Sequence, residues 1–444
     1  MKRVLVIAYY WPPSGGGGVQ RWLKFTKYFP EHGWKPVVFV PEGAMYPVLD
    51  ASLEADVDDR LEVWRGPIVE PAGWLDALKG GNPSGRLGAA SGGPTTEGDA
   101  EGGSWLKWVR GNLFIPDSRM LWIKPSIRRL KRLLAQHPVD VMVSTGPPHS
   151  THMIALGLKR AYPNLPWVAD FRDPWSDMDY LEDFQLTARS RRRHLDLEMQ
   201  VVSAADRIVV TAPSAAQSVT KKPLPTLDFE EALAGKCNTV WIPNGFDRAD
   251  GFDRADGFDV TTSPSEGPLV LGFFGALYGS RNAPGLWEAI RQWNSQREAR
   301  PLHIKFYGTL DPSVEADISS ILPDEAWARC GSVPHDSVAQ HMGMCHGLVM
   351  LQNNNPTGQR TIPGKAFEYL AAERPLVVAG ALNSDLERLV QSWGCDMCAM
   401  DDVAGFLRQL ERVSLGQTPQ ADSRIFQRDV LSQQFARLLD SLMS

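Results

Sequence analysis

Cysteine is scarce in this chain of 444 residues. Five are present, an odd number that argues against a disulfide framework. Cys395 and Cys398 form a lone C-x-x-C with no second pair or nearby histidine cluster to complete a zinc site, so burial near a strand end explains them better than metal or redox chemistry. Long apolar runs are missing too: no stretch reaches the roughly 18–20 uninterrupted apolar residues that a membrane span needs. The segment MKRVLVIAYYWPP begins basic and apolar but runs into aromatics, Pro-Pro and glycines with no small-residue cleavage site. A buried first strand is therefore expected instead of a signal peptide, and with it a cytoplasmic location. Net charge is only −6, split as +4 over residues 1–222 and −10 over 223–444. The acidic half argues against a nucleic-acid partner. The mildly basic half suits phosphorylated substrates or an anionic membrane surface.

What is present is a repeated α/β alternation. The length predicts two domains of about 200 residues. Val4 to Ala8 is a continuous apolar run of buried-strand type. The glycine-rich loop Ser14–Gly18 follows, then a helical pattern through Trp22, Leu23, Phe25, Tyr28 and Phe29, and a second strand at 37–40. This is a βαβ unit. Further strands are expected at 139–144, 167–170, 207–210 and 239–242, with helices over 126–137 and 189–204. A second alternation runs from 269 to 378: strands at 269–274, 304–307, 347–351 and 376–378, and helices at 283–296, 312–321 and 364–373. A last helix is expected over 423–441. Residues 79–104 are rich in Gly, Ser and Pro and cannot bury enough apolar surface to offset their ordering entropy, so a mobile surface insertion is expected there. The proline-bearing stretch after Ala215 reads as a hinge. The domains are accordingly 1–222 and 223–424, with 425–444 as a terminal helix that can pack back on the first domain. Two such domains form a cleft at the carboxyl ends of their sheets, where open α/β folds bind ligands.

Three motifs carry chemistry. In SGGGGVQR, residues 14–21, glycine allows close backbone approach, and the following helix start offers free N–H groups to a phosphate. Gly17 and Gly18 are the expected donor contacts; acceptor contact and a plain tight turn between strand and helix are the alternatives. The loop is not a dinucleotide fingerprint, because Gln20 stands where G-x-G-x-x-G needs its last glycine. In IPGKAFEYLAAERPLVV, residues 362–378, Lys365 occupies a first helical turn, an unfavourable place for a cation unless it meets an anionic ligand. Glu368, three residues on, shares its face. A lysine for phosphate and a carboxylate for sugar hydroxyls fit a nucleotide-sugar; a solvated Lys–Glu pair is the alternative. His149 and His152 follow a strand at a helix start, where His149 either contacts a ligand or caps the helix. Asp177 and Asp179 have D-x-D spacing but no further ligands in view, and read as loop carboxylates. Arg189, Arg191, Arg192 and Arg193, with Arg128, Arg129, Lys131 and Arg132, form either solvated helix faces or a basic patch against anionic lipid. Packing is the expectation for Trp105, Trp108 and Phe114, contact with lipid or acceptor the alternative.

Four motifs in this order, GGGGVQR, PWVADFRDPW, VWIPNGFD and KAFEYLAAERPLV, resemble the family-4 (group 1) retaining glycosyltransferases of GT-B architecture. The likeness is to the bacterial branch that makes surface polysaccharides and covers nearly the whole chain. Pro116-Asp117 with Trp122, and Pro147-Pro148-His149-Ser150, fit the same pattern. The resemblance implies a nucleotide-sugar donor, a glycan or lipid-linked acceptor, peripheral contact with the inner face of the membrane, and neither cofactor nor catalytic metal. It assigns Glu368 to the donor ribose, Arg281 and Lys365 to the donor diphosphate, and Val333, within Gly331–His335, to the base. The family's first glutamate of E-x7-E falls on Arg360. Arg172 and Asp173 stand where many members carry a histidine beside the reacting sugar. Arg281, Lys365 and Asp173 are thus the candidate catalytic residues, with His149 and Arg172 as candidate acceptor or sugar contacts. A nucleotide-sugar epimerase of the same architecture and a non-catalytic nucleotide-sugar-binding subunit are the rival readings.

Finally, NGFDRADGFDRADGFD (244–259) repeats a hexad. Its aspartates recur every third residue, whereas an EF-hand loop needs alternate positions, and two and a half copies are too few for a solenoid. A lengthened turn at the domain border is expected.

Overall fold

The computed structural model describes residues 1–70, 104–178, 181–222, 227, 229–252, 267–296, 300–334 and 337–443. Most of the expected insertion (79–103) and of the hexad repeat (253–259), with Asp179 and His335, lies outside the described residues. The chain divides into two compact units, Met1–Pro243 with Arg428–Ser444, and Asn244–Gln427.

The first unit is built on a seven-stranded sheet. Its strands are β1 (Lys2–Ile7), β2 (Trp34–Glu42), β3 (Glu62–Pro67), β4 (Val141–Gly146), β5 (Trp167–Phe171), β6 (Arg207–Val210) and β7 (Thr239–Trp241), in the order β3-β2-β1-β4-β5-β6-β7. Every neighbouring pair is parallel, with Leu5 opposite Val37 on one side and Met142 on the other. The central strands bury Val4–Ile7 and Val141–Val143 completely, as a sheet covered on both faces requires. The first helix, Gly17–Tyr28, starts from Gly16 at φ 84°, a conformation that strains any residue with a Cβ. Its Trp22 and Phe25 pack on Phe435 of the terminal helix Arg428–Asp440. The terminal helix therefore belongs to the core of the first unit.

The second unit carries β8 (Leu269–Phe274), β9 (Leu302–Tyr307), β10 (Trp327–Gly331), β11 (Gly347–Leu351) and β12 (Leu376–Ala379), all parallel, in the order β10-β9-β8-β11-β12. It has its own apolar core around Trp287, Ile290, Ile304, Phe306 and Phe406.

The domain border needs correction. Residues 229–243 belong to the first unit, because β7 extends its sheet beside β6; the division falls after Pro243, not after 222. The expected helix at 126–137 starts earlier, at Met120, and contains Pro125. Strands β3 and β10 were not anticipated; both are sheet edges of mixed burial and lack the continuous apolar run that marks a central strand.

Candidate active site

In both sheets the strand order reverses at one place, between β1 and β4 in the first unit and between β8 and β11 in the second. Open α/β sheets bind ligands at the carboxyl ends of the strands flanking such a switch point. The sequence-predicted residues follow these strand ends closely. Gly17 and Gly18 come after β1, His149 after β4, Arg172 and Asp173 after β5, Arg281 after β8, Val333 after β10, and Lys365 and Glu368 between β11 and β12.

In the first unit, Arg172 joins four loops. Its Nη1 donates to the Gly18 carbonyl at 2.7 Å, its Nη2 to the Pro147 carbonyl, and its backbone N–H to Gly146 at 3.0 Å. Its own carbonyl accepts from Thr211 Oγ1 at 2.6 Å, and the guanidinium lies 5.8 Å from the Tyr10 ring centre. A Cβ on Gly18 would sit 3.1 Å from Arg172 Nη1, whereas one on Gly17 would meet nothing within 4 Å. Gly18 thus makes room for Arg172, and Gly17 leaves its backbone open to an incoming group.

His149 precedes the helix Ser150–Ala161, but it does not cap that helix with its side chain. Asp117 does so instead, accepting from Ser150 N at 2.8 Å and Ser150 Oγ at 2.7 Å. The His149 ring lies flat on Trp175, 4.5 Å between centres with an interplanar angle of 2°. It is buried, and neither ring nitrogen has a hydrogen-bond partner. Burial lowers its pKa well below 6.5, so the imidazole is neutral. His152 bonds through Nδ1 to Ser144 Oγ at 2.8 Å, and His194 Nδ1 accepts from Trp175 Nε1 at 3.1 Å. Burial lowers these two to about 3 and about 4. His149 and Asp173 line one cavity of about 170 Å3 together with Tyr10, Asp117 and Phe114. Asp177 pairs with Lys221 at 3.0 Å. Trp105 and Trp108 are exposed, contrary to the packing expected of them, while Phe114 is half-buried at the cavity.

In the second unit, Lys365 Nζ lies 3.3 Å from Glu368 Oε2, and its stem runs over Gly275, whose Cβ would sit 3.6 Å from Lys365 Cε. Gly275 (φ 121°) and Gly308 (φ 140°) end β8 and β9; a Cβ on Gly308 would fall 2.1 Å from the Gly275 carbonyl oxygen. Only glycine at 308 lets these two strand ends approach so closely. Arg281 Nε donates to Asn353 Oδ1 at 2.8 Å, and Ser280 Oγ donates to the same oxygen at 3.3 Å. Asn353, just beyond β11, thereby draws the Arg281 loop towards the switch point. Tyr369 OH donates to the Val349 carbonyl at 3.3 Å and accepts from Phe274 N at 3.1 Å, bridging β8 and β11 beneath the site. Lys365, Glu368 and Arg281 therefore sit at one switch point, whereas Val333 follows the far edge strand, with β9 between. Asn353 and Tyr369 are the residues that sequence reasoning missed; the polar run Gln352-Asn353-Asn354 directly after a buried strand was the available signal for the first. The Cys395 and Cys398 thiols are buried against backbone carbonyls, and burial pushes Cys398 up to about 12.

No family model matches the chain, and no curated protein matches it. Solved structures do. HepE from Anabaena, in complex with UDP and glucose, aligns at 13% identity and a TM-score of 0.60 over 99% of this chain and 100% of that one. The lipopolysaccharide outer core galactosyltransferase WaaB, in its apo form, aligns at 10% identity and a TM-score of 0.59 over 99% of both chains. A protein proposed to be a UDP-N-acetylglucosamine 2-epimerase from Listeria monocytogenes aligns at 9% identity and a TM-score of 0.54 over 97% and 94%. The fold is thus GT-B, with two Rossmann-like units of parallel sheet. At these identities the likeness speaks for the fold alone.

Proposed function

We propose that this chain is a retaining glycosyltransferase that moves a sugar from a nucleotide diphosphate donor to a cell-surface polysaccharide or glycolipid precursor. The observation that carries the reading is the grouping of Lys365, Arg281 and Glu368 at the β8/β11 switch point. Breaking a sugar–diphosphate bond leaves negative charge on the departing phosphate. Lys365 and Arg281 stabilise that charge as it develops, which is where preorganised electrostatics contribute most to a rate. Glu368 accepts hydrogen bonds from the donor ribose, and Val333 borders the base. The acceptor hydroxyl attacks from the face that the diphosphate leaves, and the leaving phosphate takes its proton. Asp173, Arg172 and His149 form the acceptor side, Arg172 by fixing the loops around it. WaaB, which shares the fold, is a galactosyltransferase, and a HepE structure of that fold holds UDP-glucose; both are compatible with this reading.

The basic surfaces fit a peripheral place at the inner face of the membrane. Arg128, Arg129, Lys131, Arg132, Arg189, Arg191, Arg192 and Arg193 lie on two helices and are all exposed, and Trp105 and Trp108 add exposed apolar surface. Among the described residues no helix is long and apolar enough to cross a membrane.

Turnover tests the reading. Lys365→Ala should lower kcat by about 10²–10³, the usual cost of removing one donor to developing charge. Glu368→Ala should weaken the donor by about 1.5–3 kcal/mol, the range for a hydrogen bond to a charged group. Wild-type rates from both variants would sink the assignment. An epimerase of the same fold consumes donor with no acceptor present, and a non-catalytic subunit binds donor without consuming it under any acceptor.

A further inference from the structure

The cavity beside His149 says more than a general acceptor role requires. Its volume of about 170 Å3 falls below the roughly 300–1,000 Å3 of pockets that enclose drug-sized ligands, so it holds one ring and little more. Its charged lining cancels, with Arg110 and Arg119 set against Asp117 and Asp173. These groups are already engaged. Arg119 pairs with Glu70 at 3.2 Å and Arg110 lies over the Phe184 ring. Asp117 caps the helix at Ser150, and Asp173 has partners of its own. None of them calls for a counter-ion.

The polar atoms left over at its wall are both ring nitrogens of His149 and Nε2 of His194. The His149 ring is 1% exposed, held flat on Trp175, and both its nitrogens lack hydrogen-bond partners. An unsatisfied buried polar group costs about 1–3 kcal/mol, and native structures leave few of them. Neutral imidazole presents one donor and one acceptor. A carboxylate only accepts and an ammonium only donates; a sugar carries several hydroxyls, each able to do either, so separate hydroxyls can answer separate nitrogens. Phe114, Phe184 and Pro148 add apolar wall, which suits the C–H face of a sugar.

We propose that this cavity binds one uncharged pyranose ring, whose hydroxyls hydrogen-bond with His149 and His194 while its C–H face meets the apolar wall. That the ring belongs to the acceptor rests on the transferase reading; that a neutral sugar binds here does not.

Saturation-transfer NMR on the full chain tests it, with the methyl glycosides of glucose, galactose, mannose, rhamnose and N-acetylglucosamine, and with glucuronate and inorganic phosphate as charged controls. At least one neutral glycoside should bind the wild type. His149→Phe, which keeps the stack on Trp175 and removes both nitrogens, should bind it at least about tenfold more weakly. Phe184→Ala, which opens the apolar wall and leaves His149 in place, should weaken it as well. The proposal is overturned if no neutral glycoside binds, if a charged control binds in preference, or if binding is unmoved in either variant. UDP-glucose titrated into the same proteins reads the donor side separately. Its failure to bind any of them counts against the transferase reading and leaves the glycoside result to be judged by itself.

Discussion

Asp170 accepts hydrogen bonds from Arg21 Nε at 3.2 Å, Arg21 Nη2 at 3.0 Å, Trp22 Nε1 at 2.8 Å and Thr145 Oγ1 at 2.9 Å, all in the core of the first unit. Arg21 also donates to the carbonyls of Ile242 and Pro243, the last residues of that unit before the second begins. Both charged side chains are buried, so removing one leaves the other uncompensated. Asp170→Asn should cost about 3–5 kcal/mol in denaturant unfolding, and the pair Arg21→Met with Asp170→Leu less than either change alone. A double variant less stable than both singles would contradict this account of the pair. The buried histidines predict a pH dependence. Their folded pKa values lie below the ordinary value of 6.5, so below that pH the unfolded chain binds more protons than the folded one. The stability they contribute is complete above pH 6.5 and is lost as pH falls, down to about 4 for His194 and about 3 for His152. Each should add a slope approaching about 1.4 kcal/mol per pH unit. Unfolding midpoints between pH 6.5 and 5, above the main carboxylate range, should fall accordingly; a flat profile there would refute the assignment.

At the scale of elements, the start of the hexad repeat, as far as Phe252, forms a specific turn. In the first copy Asp247 accepts from Ala249 N at 3.0 Å and Phe246 is buried and bonded through its N–H to the Phe426 carbonyl, while Gly251, which opens the second copy, takes φ 93°. Phe252 of the second copy packs edge-on against Phe246, 5.7 Å between centres. Deleting 251–256 brings Gly257 and Phe258, the same residues in the same order, into the places of Gly251 and Phe252. Melting temperature and activity should therefore hardly change, and a large loss of either would assign the extra hexad a role of its own. The central strands were legible because buried parallel strands are unbroken apolar runs; the helix Ser150–Ala161 after β4 was signalled only by its start at His149. The edges β3 and β10 were not, since exposed and half-buried positions interrupt any apolar run in them. The border slipped because β7 has only three residues, too little signal to assign it to the sheet before it, while Pro223 and Pro225 read as a hinge.

At the scale of the whole molecule, the two units use their switch points differently. The first presents a neutral, partly apolar cavity; the second gathers Lys365, Arg281 and Glu368. That contrast was only partly visible in sequence. Lys365 and Glu368 stood out by their place in one helical turn, and the resemblance supplied Arg281. Arg172 had the look of a ligand contact, yet its guanidinium is taken up by three backbone carbonyls, which no local pattern discloses because they come from two other loops. His149 announced itself only as a histidine at a helix start; that Asp117 does the capping, from 33 residues away, required the fold. The central claim is that the β8/β11 switch point holds a nucleotide-sugar through Lys365 and Glu368. Its most direct test is calorimetric titration, on the full chain, of the nucleotide-sugar that raises the melting temperature most in a panel of UDP-, GDP- and dTDP-linked sugars. Wild type should bind it, and Lys365→Ala and Glu368→Ala should each bind at least about tenfold more weakly, a loss of about 1.4 kcal/mol. Equal affinity in all three proteins, or no binding by the wild type, would contradict the claim.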